Sequence, residues 1–314
     1  MKTITYTVRT LLVFMLIFYC VGVYAQRKEV SYFNDSVEIC PLADKELIDS
    51  CYNLLDRNMM LETDGIYGQI SVIDATTSEV LAWASLEKQL DGDCGWCGDM
   101  VYVPFKKQVC STDIFVPFIA AKCLEESNTS LGKMVDTGCG ILEVNDSLQI
   151  RDHNWRRGGY GKVTFEKALL MKSRIGMYKA FMTLPNGADL WEQAYDTIQK
   201  SNAIELAISF NQMYHKRSSL EYVKKIATGF FEKTGIQHRL APRGIKLAGI
   251  YNILQCDDNK RSSDEFTFVG CFPADNPKYT IGMVVVRPHK LPATIGMLSK
   301  EVNQLIEWLM NRNI

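Results

Sequence analysis

What most narrows the folds open to this chain is where its strands fall. Gln69-Ile-Ser-Val-Ile-Asp74 and Glu79-Val-Leu-Ala-Trp-Ala84 read as two strands joined by a turn over Ala75-Thr-Thr-Ser78. The next strand patterns lie far along the chain, over Ile245–Gln255, Glu265–Phe272 and Tyr279–Arg287. Between them the apolar residues recur at helical spacing over Asp113–Glu126, Thr164–Ala180, Asn202–Lys216 and Leu220–Thr234. Further helices are expected over Asp44–Met60 and about Ile295–Met310. Two strands, a helical middle, three strands and a closing helix describe an α+β protein. Its central antiparallel sheet would be built from both ends of the chain, with helices on both faces.

The first residues carry an export signal. Lys2 and Arg9 precede an apolar run of 13 residues, Leu11 to Val23, and Val23-Tyr-Ala25 offers small residues at the spacing signal peptidase requires. The run is short of the about 20 residues that span a bilayer. The reading is therefore a signal peptide over 1–25, a lead-in with one helix over 26–66, and one domain over 67–314. An uncleaved anchor is the competing reading. Cleavage leaves 33 basic against 36 acidic residues, so bulk charge gives no reason to expect nucleic acid as a partner. Nine of the ten cysteines remain, a number that suits an oxidising compartment and leaves at least one thiol unpaired in the monomer.

Three stretches, in order, resemble the transpeptidase domain of penicillin-binding proteins. Gly68 to Ala84 is similar to the hairpin that opens that domain. Asp152, Gly159-Tyr-Gly161, Thr164, Ala168-Leu169 and Ile175-Gly176 resemble its central block. Phe268-Val-Gly-Cys-Phe-Pro-Ala-Asp-Asn-Pro-Lys-Tyr279 and Val284-Val-Val286 resemble its closing hairpin. The resemblance implies a serine acyltransferase, in which an SxxK serine and lysine open a buried helix. An SxN motif faces them, and KTG on a strand binds the substrate carboxylate.

At each of those places the residues differ. Phe115 and Pro117-Phe118 set the first motif at Asp113-Ile-Phe-Val116, so Asp113 replaces the nucleophile and Val116 the base. Asp113 by itself reads as a helix N-cap, a position that favours carboxylates. Ile175-Gly176 sets the second at Lys172-Ser173-Arg174, with cations in place of the serine and asparagine. Ile245-Lys-Leu-Ala-Gly249 sets the third at Ile250-Tyr251-Asn252-Ile253, which removes the cation and puts Tyr251 where a small side chain is expected. The 75 residues between Arg174 and Ile250 also make a shortened middle. The literal strings Ser85–Lys88, Ser130–Lys133 and Lys233-Thr-Gly235 fall outside the right elements, and Gly235 reads as a helix C-cap.

Cys94-Gly-Trp-Cys97 sits in a Gly/Asp-rich loop. A structural disulfide is the first reading there; thiol exchange, or zinc binding with Cys110 and one more ligand, are the others. Cys256 and Cys271 are not expected to pair, because a hairpin turning near 259–263 places Cys271 opposite Leu247–Ile250. The four histidines show no ligand spacing, and no cofactor or metal is expected. The resemblance implies a catalytically inactive, exported module with a binding or scaffold role near the cell wall. Its partner would be peptidoglycan or a cell-envelope protein, with membrane contact only if the N-terminal segment is retained. A divergent active transpeptidase and a thiol-disulfide protein are the alternatives.

Overall fold

The computed structural model describes residues 44–89, 100–103, 110–145, 148–195, 200–215, 221–258, 261–289 and 292–312. The N-terminal apolar run and Cys94–Cys97 lie outside them. In chain order come α1 (Lys45–Arg57), continued by a π-helical turn to Thr63, then β1 (Tyr67–Asp74), β2 (Val80–Lys88), β3 (Met100–Tyr102) and β4 (Cys110–Ser111). A 3₁₀ turn (Thr112–Phe115) leads into α2 (Val116–Glu126). Four short strands follow, β5 (Met134–Asp136), β6 (Ile141–Glu143), β7 (Gln149–Arg151) and β8 (Lys162–Thr164). The helical middle holds α3 (Phe165–Leu170), α4 (Arg174–Phe181), α5 (Gly187–Tyr195), the short β9 (Lys200–Ser201), α6 (Ala203–His215) and α7 (Glu221–Gly229). The chain closes with β10 (Ala248–Asp258), β11 (Arg261–Phe272), β12 (Tyr279–Pro288) and α8 (Ser299–Asn311).

The main sheet has the order β10-β11-β12-β1-β2-β3 and is antiparallel throughout. Its two faces are read from alternate residues of β1. A side chain at Gly68 would strike Leu55 and Met59, so that face carries α1. From the other face, Gln69 accepts from the Ala203 N–H (3.1 Å) and Ser71 donates to the Ala203 carbonyl (2.8 Å), which pins the start of α6. Both faces of β1 are thus covered, and every residue from Tyr67 to Ile73 is buried. α8 packs beside α1, and the turn before it contacts β10 and β11. α2 lies against α4 and α7 with Phe118 fully buried between the rings of Phe210 and Phe230. The expected buried helix is therefore present.

Two expected helices end differently. The apolar pattern over Thr164–Ala180 is split into α3 and α4, because Lys172 turns left-handed (φ +54°) and Ser173 becomes the N-cap of α4. The pattern over Leu220–Thr234 stops at Gly229 and continues as turns. Gly235 sits in those turns rather than capping the helix. A Cβ there would lie 2.2 Å from the Gly229 and Phe230 carbonyl oxygens, so only glycine fits. Helix α5 has no counterpart among the expected elements. Cys271 pairs with Ala248 and Cys256 with Ser263, so consecutive strands hold the two cysteines well apart. Cys51, Cys123 and Cys271 are buried free thiols and Cys139 an exposed one. Among the described residues no helix is long and apolar enough to cross a membrane.

Candidate functional site

Three elements meet on the α6 side of the sheet. The 3₁₀ turn before α2 brings Asp113, the α3–α4 break brings Lys172, and β10 brings Asn252. The Asn252 amide nitrogen donates to Asp113 Oδ1 (3.0 Å), and its carbonyl oxygen accepts from Lys172 Nζ. A carboxylate, an amide and an ammonium therefore form one chain. Burial pushes the Lys172 amine down to about 8, against the attraction of Asp113. Burial likewise raises the Asp113 carboxyl, opposed by Lys172, the Asn252 hydrogen bond and Arg174. Two desolvated groups of opposite charge, each with a displaced pKa, mark a site rather than ordinary surface.

The break that carries Lys172 is fixed from below by a fully buried carboxylate. Both oxygens of Asp152 accept from the Ser173 hydroxyl (3.0 and 2.9 Å), and Oδ1 also accepts from the Ile175 N–H (3.1 Å). The same hydroxyl accepts from the Gly176 N–H at 2.9 Å and so caps α4. Ser173 is itself fully buried. Its oxygen is committed to structure and cannot meet a substrate. Beyond Asp152, His153 Nε2 and the Tyr160 hydroxyl stand 2.8 Å apart, and Tyr160 also donates to the Met171 carbonyl (3.3 Å). The backbone there needs glycine: Gly159 has φ +70°, and a Cβ would lie 2.3 Å from the Gly140 nitrogen.

The two sides of β10 separate the residues of the third motif. Ile250 and Asn252 share the face of β10 where Asp113 and Lys172 meet, the groove face, and both are buried. Tyr251 points the other way. Its ring lies 4.4 Å from that of Phe268 and 5.9 Å from that of Phe231, under the layer that includes α8. β10 is also an edge strand, yet at Tyr251 the edge is closed. The Tyr251 N–H donates to Gln237 Oε1 (2.8 Å) and its carbonyl accepts from Gln237 Nε2 (2.7 Å). One buried side-chain amide thus completes a rung of the ladder that another strand would otherwise supply.

Two solved structures share this architecture. One is a peptidoglycan glycosyltransferase from Burkholderia ambifaria, with a TM-score of 0.64 over 86% of this chain and 97% of that one. The other is the TP domain of penicillin-binding protein 3 from Burkholderia pseudomallei, with a TM-score of 0.64 over 90% of this chain and 100% of that one. The fold is that of a penicillin-binding protein transpeptidase domain. Identity is 17% in both cases, so the likeness is one of fold. No protein-family model and no curated protein matches the chain.

On this transpeptidase fold the residues singled out in the sequence are partly gathered. Asp113 and Lys172 meet through Asn252, and Arg174 is close enough to act on the Asp113 charge while remaining exposed. Val116, the first residue of α2, is buried in the core. Asp113 is not the N-cap of α2. The 3₁₀ turn intervenes, Phe115 takes that place without a side-chain bond, and the freed carboxylate reaches Asn252. Tyr251, expected where a small side chain would stand, is on the opposite face of β10 from Asn252. Asn252 is the member that sequence reasoning leaves unassigned, although its period-2 relation to Ile250 is an available signal. The literal strings are placed elsewhere. Ser85 is buried in β2 beside the Tyr67 hydroxyl (3.3 Å), Lys88 pairs with Asp64 (3.2 Å), and the Ser130 hydroxyl accepts from the Gly132 N–H (3.1 Å) in a turn.

Proposed function

We propose that this chain is an exported, non-catalytic binding or scaffold module on the transpeptidase fold, working at the cell envelope against peptidoglycan or an envelope protein. One observation carries the reading. Where the family's motifs would put a hydroxyl nucleophile and its base, Asp113 is tied to Asn252 and Lys172, and Val116 is core. A carboxylate, an amide and an ammonium can hold a ligand by charge and hydrogen bonds. They do not supply the acyl-serine on which the family's chemistry depends. The closed strand edge at Tyr251 supports the same reading, because an extended substrate has no free rung there. The short N-terminal apolar run and the names of the fold's neighbours support an envelope location.

A divergent transpeptidase is the second reading, favoured by the Lys172 amine. Held down to about 8, it is partly neutral near pH 7 and suited to take a proton. A labelled penicillin followed by intact mass spectrometry separates the two. No adduct is expected, since loss of a single catalytic group commonly costs about 10²-fold to 10⁴-fold in rate. A stoichiometric adduct abolished by Ser111→Ala would reverse the order of the readings.

A further inference from the structure

Overall charge balance conceals a strongly polarised loop. From Arg151 to Lys162 the chain carries four cations, Arg151, Arg156, Arg157 and Lys162, and a single acid, Asp152. All four cations are exposed, whereas Asp152 is fully buried and already bonded to Ser173 and Ile175. Among the described residues none of the four forms an ion pair. Two exposed acids lie nearby: Asp136, opposite Lys162 in the β5–β8 register and accepting from the Gly138 N–H, and Glu143, accepting from the Gln149 amide; neither forms an ion pair with the three arginines. Trp155 organises the loop: the guanidinium carbons of Arg151 and Arg156 each stand 5.2 Å from its ring. Seated on an indole, a guanidinium loses less freedom when it binds than a loose one does.

The loop is tied to the element that carries Lys172: His153 Nε2 stands 2.8 Å from the Tyr160 hydroxyl, which donates to the carbonyl of Met171, the residue before Lys172 (3.3 Å). We propose that this loop is a docking surface for an extended, phosphate-bearing polyanion whose strand runs over it toward the groove. Planar guanidinium forks match phosphate oxygens in pairs, and three exposed arginines without ion-pair partners call for repeated negative charges rather than one ion. A flat lipid surface could reach the projecting arginines but not Lys172, which is mostly buried. An acidic peptide gains nothing from the edge of β10, where Gln237 already holds Tyr251. The proposal goes beyond the envelope-module reading and stands whether or not the groove acylates.

The test is titration of the full chain with linear inorganic polyphosphate at two salt concentrations. Binding is expected to weaken steeply with salt, with a log–log slope near −1 for each phosphate the loop neutralises. Arg156→Gln with Arg157→Gln should lower affinity by about tenfold or more at about 50 mM salt and flatten the slope by about one to two. The fold should survive, since both side chains are exposed and form no ion pair; far-UV circular dichroism and the thermal midpoint check this. Arg156→Lys with Arg157→Lys should keep the slope but lose part of the affinity, because an ammonium offers no fork. The proposal is overturned by absent polyphosphate binding, or by a glutamine double variant within about twofold of wild type. It is equally overturned if polyglutamate of matched charge binds as tightly, or if only phosphatidylglycerol vesicles bind.

Discussion

Asp264 and Arg287 in the sheet and Asp113 and Lys172 in the groove are both sequestered pairs of opposite charge, yet they are built differently. The first pair meets across adjacent strands: Arg287 Nε and Nη2 each lie 3.0 Å from Asp264 Oδ2, and His289 Nδ1 reaches the other oxygen at 2.6 Å. Asp264 and Arg287 face one another in the β11–β12 register, so the ladder itself aligns them. The second pair is gathered from a turn, a helix break and a strand, and is joined through the amide of Asn252. It also carries a left-handed lysine and two displaced pKa values. A direct pair held by regular structure belongs to the fold. A bridged, strained and desolvated one is what a site looks like. On the non-catalytic reading proposed above, an arrangement of the second kind persists without the family's chemistry.

The largest effect should come from the sheet. Asp264→Ala leaves Arg287 buried without its partner, and loss of one member of such a pair costs about 3–5 kcal/mol. Urea denaturation measures it. A cost below about 1 kcal/mol would mean that water solvates the Arg287 guanidinium once Asp264 is gone, and the contrast between the two pairs would collapse.

The groove pair should respond to pH instead. The Lys172 pKa is depressed in the folded chain, so the folded state binds fewer protons than the unfolded one between about 8 and the ordinary lysine value. The burden of the buried charge is fully present below pH 8 and lifts as the pH rises through that window. Unfolding free energy should therefore climb by about 2 kcal/mol between about pH 8 and pH 10, relative to Lys172→Met measured in the same buffers. The variant serves to cancel the cysteines, tyrosines and other lysines that titrate there. Parallel pH profiles for the two proteins would show that Lys172 is solvated, which removes the argument that the groove is a desolvated site.

The same contrast explains what can be read in advance. The five long strands are legible because alternation and β-branched runs are local, and both ends of the chain show them. The buried helix α2 is legible because Phe118, Ile119, Ala121 and Leu124, with Ile114 and Phe115 before it, put apolar residues around most of its circumference. The α3–α4 break is not, since Leu169 to Ile175 continues a helical apolar pattern and nothing local announces a left-handed Lys172. Ser173 as an N-cap is the faint local sign. Of the groove, Asp113 and Lys172 are reachable through their flanking residues. Their connection through Asn252 is tertiary, 139 and 80 residues away along the chain, and no local pattern encodes it.

The smallest expected effect tests the far face of β10. Tyr251 is Asn252's neighbour in sequence, but its ring is packed in the core and its hydroxyl finds no hydrogen-bond partner among the described residues. Burial and the nearby Glu301 carboxylate both raise its pKa well above the ordinary tyrosine value, so the phenol stays neutral. A buried hydroxyl without a partner sacrifices its hydration for nothing, and mutational data put that loss at about 1–3 kcal/mol. Tyr251→Phe keeps the contacts with Phe268 and Phe231 and removes only the oxygen, at the cost of a small void. The variant should be more stable than wild type by about 1 kcal/mol, read as a higher urea midpoint at unchanged slope. A loss of stability of that size would mean that the hydroxyl is bonded, with Glu301 the nearest candidate. The face of β10 turned from the groove would then carry a polar network of its own, and the division between a packing face and a site face would fail at this strand.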